Sequence, residues 1–213
     1  MPQLPNRLAR YAARPGAAPL PRTREAKSRC CSSSDGILCV GGRDAVSNEI
    51  IVKKHATPKE LVFHTETPGS PFFVIKKELE QTPQTTINEA AEATAIYSKA
   101  WKLGILVSDV YSVLPEQLSK TSASGEYVSR GAFVVSGKRN YTTIRVTQAA
   151  IGILPNGKIM GGPVTALKTQ CKQFVTVTPG NHKASDCAKE IKKKIGGEID
   201  DIIAQLPAGG CKL

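Results

Sequence analysis

Basic, hydroxyl and aromatic residues crowd into one stretch of the chain, residues 119–141. Glycines and serines separate the basic residues, and Glu126 is the only acid in the stretch. Positive charge, hydroxyl donors and closely approaching glycines bind backbone phosphates, whereas aromatic faces stack on unpaired bases. The stretch therefore predicts a nucleic-acid surface. Its candidate contacts are Lys120, Thr121, Tyr127, Arg130, Lys138, Arg139, Asn140 and Tyr141.

Two further candidates, Arg43 and His64, precede that stretch. Arg43 lies in a predicted turn before a helix and is a candidate phosphate contact. Its pairing with Asp44 or Glu49 is an equally good interpretation, because ion pairs often order such turns. His64 shares a strand face with Glu66, which suits a general base, although packing or ligand contact is more common for a strand histidine. We therefore predict two binding residues here and no catalytic residue.

The segment from Gly152 to Ile159 approximates a phosphate-binding nucleotide loop. Such a loop needs Ser or Thr directly after its lysine to hold magnesium, and a helix must follow. Ile159 occupies that position, and Pro155-Asn156-Gly157 indicates a hairpin turn instead. The sequence thus predicts no nucleotide cofactor at this point.

The net charge of +11, with a sequence pI near 9.5, favours an anionic partner, and nucleic acid before a membrane. The charge is unevenly distributed. Residues 1–29, 118–145 and 157–213 each carry an excess of Lys and Arg, whereas the basic and acidic side chains of residues 43–102 cancel. No apolar run approaches the roughly 20 residues that a membrane span requires.

Six cysteines are present, and none forms a Cys-x-x-Cys pair. A structural zinc site usually needs such paired ligands, so we predict no metal. The sequence also lacks the apolar core of a secretory signal. We therefore expect free thiols in a reducing compartment, the cytoplasm.

Five prolines and five arginines dominate residues 1–27, which we predict to be a disordered basic leader. A basic arm or the remnant of a linker is the favoured interpretation, and an organelle transit peptide is left open. Residues 28–213 contain no strong break and are expected to form a single domain.

The predicted elements alternate without the regular spacing of a doubly wound sheet, which indicates an α+β fold. We expect a mixed β-sheet packed by a long central helix, which begins at Thr85 or Thr86 and ends near Leu103. Ser47 is the expected N-cap of an earlier helix, and residues 131–153 are expected to form a hairpin. Further strands are expected at 37–40, 61–64, 72–75, 109–114 and 172–178, and further helices at 185–195 and 199–203.

Several short motifs, in order along residues 28–213, resemble the NFACT RNA-binding domain (NFACT-R), especially its archaeal type. They are Gly42–Ala45, His64–Glu66, Gly69–Lys76, Glu89–Ala95 and Ala100–Gly104, together with the basic stretch described above. That domain is the C-terminal module of factors that act on stalled large ribosomal subunits. The resemblance implies that residues 28–213 bind RNA and that residues 148–213 are a small C-terminal α/β extension.

The resemblance implies ribosomal RNA or tRNA, and the large ribosomal subunit, as partners, with neither a cofactor nor a membrane. Full-length relatives carry further NFACT-type domains, and we leave open that this module works with such domains in trans. Two alternatives remain. One is an enzyme acting on phosphoesters through His64, Asp44 and Glu49; the other is a ribosome-bound protein–protein adaptor.

Overall fold

The computed structural model of the chain describes residues 28–121 and 125–213. The predicted leader, residues 1–27, therefore lies outside the described residues, as do residues 122–124 of the basic stretch. The first eight strands are β1 (Arg29–Ser32), β2 (Leu38–Gly41), β3 (Glu60–Thr65), β4 (Phe73–Glu78), β5 (Val107–Val113), β6 (Leu118–Ser119), β7 (Val134–Val135) and β8 (Asn140–Arg145).

The main sheet has six strands in the order β1-β2-β4-β3-β5-β8, and β6 pairs separately with β7. Every strand pairing in this sheet is antiparallel, so the expectation of a mixed sheet is wrong, although the α+β class is confirmed. Short turns account for two of these pairings, β1 with β2 and β3 with β4, because a short connection can join only antiparallel neighbours. Gly36, with φ of 73°, makes the turn between β1 and β2.

A second sheet follows in the C-terminal part of the chain, with strand order β10-β9-β11-β12 and antiparallel pairing. Its strands are β9 (Ala149–Ile153), β10 (Ile159–Gly162), β11 (Gln173–His182) and β12 (Cys211–Lys212). The predicted hairpin turn is confirmed, since β9 and β10 pair across it and Gly157 has φ of 80°. Three helices pack around this sheet: α4 (Val164–Gln170), α5 (Ala184–Ile195) and α6 (Ile199–Gln205).

Helix α2 (Gln84–Ile96) lies between the two sheets, where it contacts β3, β4, β5 and β8 on one side and β10 on the other. Its buried alanines allow this close packing. The predicted long helix is interrupted after Ile96, and Ser98 caps a separate helix α3 (Lys99–Leu103), its Oγ accepting from Ala100 N at 3.1 Å. The predicted stop is confirmed, because Gly104 ends α3 with φ of 65°.

Helix α1 (Ala45–Ile50) continues into a π-helical turn (Ile51–His55), and short 3₁₀ turns occupy Leu79–Gln81 and Pro115–Gln117. Ser47 is not the N-cap. Asp44 takes that position and accepts from Ser47 N at 2.7 Å, because its carboxylate reaches the free amides of the first turn.

The predicted hairpin over residues 131–153 is wrong. Strand β7 pairs with β6, and β8 pairs with β5, so the turn at 137–139 joins two different sheets. Strand β11 also continues through Pro179-Gly180, where its pairing with β12 shifts register. The turn signal at 137–139 does mark a turn, but Pro179-Gly180 does not end its strand, and tertiary packing sets the partner of each strand.

The expectation of free thiols is wrong for two of the six cysteines. Cys187 of α5 and Cys211 of β12 form a disulfide, because α5 packs over β11 and β12 and brings the two side chains together. The other four cysteines are free. Within the described part of the chain, no helix is both long and apolar enough to cross a membrane.

Candidate nucleic-acid interface

An open cleft of about 740 Å³ lies beside the main sheet. Its walls are the β2–α1 turn, the β3–β4 loop, the start of α3 and the segment that leads into β7. Six basic side chains line it, against the two carboxylates of Asp44 and Glu66. The basic residues are Arg29, Arg43, Lys99, Lys102, Arg130 and Arg139.

The β2–α1 turn presents Arg43 at the cleft. Its guanidinium donates from Nη2 to the Ala204 carbonyl at 2.8 Å, at the C-terminal end of α6, and the side chain remains exposed. Asp44 caps α1, and Arg43 bonds a carbonyl of α6. A guanidinium that donates one hydrogen bond to a carbonyl keeps its full positive charge and its other N–H donors.

Asn48 joins the β2–α1 turn to the β3–β4 loop. Its Oδ1 accepts from Phe72 N at 3.0 Å, and its Nδ2 donates to the Ser70 carbonyl at 3.4 Å. A Cβ at Gly42 would collide with this amide, so glycine is required there. Sequence analysis did not find the role of Asn48. The available signal in the sequence was an asparagine that follows two consecutive glycines, Gly41 and Gly42.

A row of aromatic rings runs along the cleft. Phe133, Phe72, His64 and Tyr111 follow one another with centroid separations of 5.4, 4.3 and 5.8 Å, and Tyr141 extends the row at 6.1 Å from Tyr111. Phe72 and Tyr111 belong to the core, whereas Tyr141 is 55% exposed. The row gives the cationic cleft an apolar floor.

His64 is held in this row as a neutral ring. Its Nδ1 lies 2.7 Å from the Thr65 carbonyl, which can only accept, so Nδ1 carries the proton. The Tyr111 hydroxyl lies 3.4 Å from the same nitrogen. Burial lowers the pKa of His64 below its usual value. A neutral, half-buried imidazole with its Nδ1 already occupied is suited to packing and contact.

Arg139 lies against Glu66 at the far end of the row. Its Nη1 donates to both carboxylate oxygens, at 3.0 and 3.1 Å, and the guanidinium sits 4.9 Å from the centroid of the Tyr111 ring. The Tyr141 hydroxyl donates to Glu66 Oε2 at 2.9 Å. The carboxylate therefore ties together two of the predicted binding residues, and partly balances the charge of Arg139.

The Lys120 side chain points into the protein and does not face solvent. Its ammonium donates to the carbonyls of Ser129 and Ala132, each at 2.8 Å, and lies 3.4 Å from Glu49 Oε2. The side chain is 10% exposed and also faces the Phe133 ring at 4.9 Å. This lysine holds the segment that carries Arg130.

The other residues of the predicted set lie outside the cleft lining. Thr121 forms an isolated β-bridge with Tyr127, and the Tyr127 side chain is 67% exposed. Lys138 precedes β8 and Asn140 is its first residue, and both are exposed. The cleft thus unites Arg43, His64, Arg130 and Arg139, with Tyr141 at its edge. Sequence analysis missed Arg29, Lys99, Lys102, Phe72 and Tyr111.

The residues considered for an enzyme each make contacts within the protein. Asp44 caps α1, and His64 is hydrogen-bonded to the backbone. Glu49 accepts from Lys53 Nζ at 2.8 Å and from Gly131 N at 3.1 Å, and these contacts lower its pKa to about 2. A carboxylate held so firmly in its ionised form is a poor proton acceptor.

A family model described as the NFACT protein RNA binding domain matches residues 27–137. The chain is 38% identical over 185 residues to the archaeal Rqc2 homolog aRqcH of Methanocaldococcus jannaschii, an alignment covering 84% of this chain and 28% of that protein. It is 39% identical over 110 residues to the human ribosome quality control complex subunit NEMF, covering 51% of this chain and 10% of that protein.

A solved structure supports the fold. The C-terminal part of the fibronectin/fibrinogen-binding protein from Streptococcus suis superposes with a TM-score of 0.50 at 20% identity, covering 63% of this chain and 51% of that chain. The chain spans little more than a quarter of the archaeal relative and a tenth of the human one.

Proposed function

Because this chain belongs to the NFACT RNA-binding domain family, we propose that it is a non-enzymatic RNA-binding protein of ribosome-associated quality control. The observation that carries the proposal is the cleft, where Arg43, Lys99 and Arg130 converge from separate segments with Arg139 at the far end. Cations brought together from distant parts of the chain favour a polyanion as ligand. The printed names of the archaeal and human relatives supply the ribosomal context.

The expected ligand is ribosomal RNA or tRNA on a stalled large ribosomal subunit in the cytoplasm. Arginines suit this role, because a planar guanidinium makes paired hydrogen bonds to phosphate oxygens. The activity of the much longer relatives is not assigned to this chain. We propose that residues 28–213 act as one module, with residues 148–213 as its extension, and that it works beside other NFACT-type domains in trans.

Binding to tRNA and to purified large subunits across a salt series tests the proposal. Arg43→Ala/Arg130→Ala should weaken binding to both, and should flatten the slope of log K against log salt by roughly 1.4, about 0.7 for each single-strand phosphate contact. Lys168→Ala/Lys172→Ala removes the same charge from exposed positions away from the cleft and is the matched control. Equal losses in both variants would show that only net charge matters.

One observation favours the adaptor as a second candidate. The end of α3 and the segment after it expose several large apolar side chains, including Leu103 at 63% and Leu106 at 61% exposure. Adjacent exposed apolar residues often mark protein contacts. If the protein is an adaptor, the Leu106→Asp variant should no longer associate with ribosomes. The unaltered protein should remain associated with them after RNase treatment and at high salt. Retention by the Leu106→Asp variant would contradict the adaptor.

A further inference from the structure

The cleft has two features that binding to a phosphate backbone alone does not require: partly exposed aromatic rings, and a positive charge that is stronger at one end, where Arg43 and Arg130 lie, than at the other, where Glu66 offsets Arg139. We propose that it holds one unpaired nucleotide of the bound RNA, with its phosphate near Arg43 and Arg130 and its base over the aromatic row. This inference rests on the proposed RNA-binding function and names the part of the RNA that enters the cleft.

The shape of the cleft supports a single nucleotide. Its volume of about 740 Å³ lies within the range of small-molecule sites, about 300–1,000 Å³. In a duplex, base faces are stacked and closed to protein side chains, and the deep groove of A-form RNA is too narrow for them. A concave, ring-floored site is therefore better matched to a base that has left the stack.

Three rings of the aromatic row keep part of their surface exposed, those of Phe133, His64 and Tyr141, whereas Phe72 and Tyr111 are buried. Phe133 and Phe72 pack edge to face with centroids 5.4 Å apart, and His64 lies over Phe72 at 4.3 Å. Because His64 is neutral, it presents a π-face and not a charge to a base. Base stacking on such faces tolerates any of the four bases. We therefore expect little base preference at this site.

The charges orient the nucleotide. A Cβ at Gly131 would collide with Ala45, so Arg130 is held beside the start of α1, next to Arg43. Glu66 lies at the other end of the row with Tyr141, where its carboxylate offsets the positive charge of Arg139. The phosphate is thus drawn to the end with two arginines, and the base lies toward His64 and Tyr141.

Hydrogen bonds within the protein hold the parts of the site in place. Asn48 bonds both Phe72 N and the Ser70 carbonyl, and Ser70 Oγ accepts from Thr65 N at 3.0 Å. These bonds fix the loop that carries Phe72 against the strand that carries His64. A prearranged stacking surface loses little conformational entropy when the base enters.

Three RNA hairpins with the same stem, each closed by a hexaethylene glycol linker in place of a nucleotide loop, test the inference. One is fully paired, one carries a single 2-aminopurine bulge, and one carries a single unpaired 2-aminopurine at its 3′ end. The protein should bind at least one unpaired form about tenfold more tightly than the paired hairpin, and 2-aminopurine fluorescence should be quenched by stacking. Comparison of the bulge with the 3′ end identifies which source of unpaired nucleotide is used.

Two variants locate the effect. Phe133→Leu and Tyr141→Leu keep an apolar side chain but remove a ring, so each should reduce the tenfold preference while binding of the paired hairpin persists. Tyr141 is 55% exposed, so this variant tests stacking even if Phe133→Leu disturbs folding. Equal binding of all three hairpins without quenching would overturn the inference and leave RNA binding intact. Failure to bind any hairpin would overturn the proposed function as well.

Discussion

Glu66 limits the charge that the cleft offers to RNA, because Arg139 and Tyr141 both donate to its carboxylate. Glu66→Gln should therefore tighten binding of a single-stranded RNA oligonucleotide. Arg139 becomes available for one more phosphate, so the slope of log K against log salt should steepen by about 0.7. Stability should change little, since the pair is partly exposed. Fluorescence anisotropy across a salt series measures both quantities.

Glu116→Gln is the matched control, because it removes an exposed carboxylate that does not line the cleft. It should leave the salt slope unchanged. If Glu66→Gln weakens binding instead, the role of Glu66 is to hold Arg139 in a productive position, and the idea that it restrains the arginine is wrong.

Glu92 on α2 makes the stability of the protein depend on pH. Burial, and the nearby charge of Glu89, raise its pKa to about 7. The unfolded carboxyl ionises near its usual pKa of about 4.5, so stability falls as pH rises from about 4.5 to 7. Glu92→Gln should then raise the free energy of unfolding by ~1–3 kcal/mol at pH 8.

The gain from Glu92→Gln should be smaller at pH 5, where the folded carboxyl is protonated. Urea denaturation at the two pH values measures the difference. Glu80→Gln changes an exposed carboxylate and should have little effect at either pH. A gain of equal size at pH 5 and pH 8 would show that titration of Glu92 is not the cause.

At the scale of elements, the small β6–β7 sheet depends on the buried ammonium of Lys120. Lys120→Met would leave the Ser129 and Ala132 carbonyls and the Glu49 carboxylate without this donor, at a local cost of ~1–3 kcal/mol. Hydrogen exchange should therefore accelerate at Ala132 N, which bonds the Ser129 carbonyl at 3.1 Å. RNA affinity should fall as well, because this segment carries Arg130.

Lys138→Met controls for the loss of one positive charge, since Lys138 is exposed. It should leave exchange in residues 128–132 unchanged. Unaltered exchange in Lys120→Met would mean that backbone bonds alone hold the segment, and Lys120 would return to the set of candidate phosphate contacts.

Elements with strong local signals could be predicted from the sequence, whereas pairings between distant segments could not. Gly104 stops α3, and the turn at 155–157 forms a hairpin, because each is decided by residues within a few positions. The pairing of β8 with β5 spans more than twenty residues and depends on packing against α2. The same limit explains why Lys120 was expected at the RNA surface: charge was visible in the sequence, but not its burial.

The candidate site shows a similar division. Arg43, His64, Arg130 and Arg139 were identified from residue type and motif, and the fold brings them to one cleft. Lys99 lies outside the motifs, and Lys102 lies within Ala100–Gly104 but was not identified as a contact. Both belong to α3, which begins at the break beside Ser98.

At the scale of the whole molecule, contacts across the two sheets predict that both unfold together. Arg29 of β1 donates to the Ala204 and Leu206 carbonyls at 3.0 and 3.3 Å, and its guanidinium sits 4.0 Å from the centroid of the Tyr97 ring. Trp101 Nε1 donates to the Gly210 carbonyl at 3.0 Å. One continuous core also joins α2 to the second sheet.

Urea unfolding followed by fluorescence and by far-UV circular dichroism should therefore give one coincident midpoint. Trp101 is the only tryptophan and is 2% exposed at the junction, so fluorescence reports contact between the two halves, whereas circular dichroism reports all elements. Arg29→Leu should lower both midpoints equally, and Arg145→Leu, which replaces an exposed arginine, should lower neither as much. A fluorescence change that precedes the dichroism change would show that residues 148–213 separate from the main sheet before it unfolds, and the single-module proposal would fail.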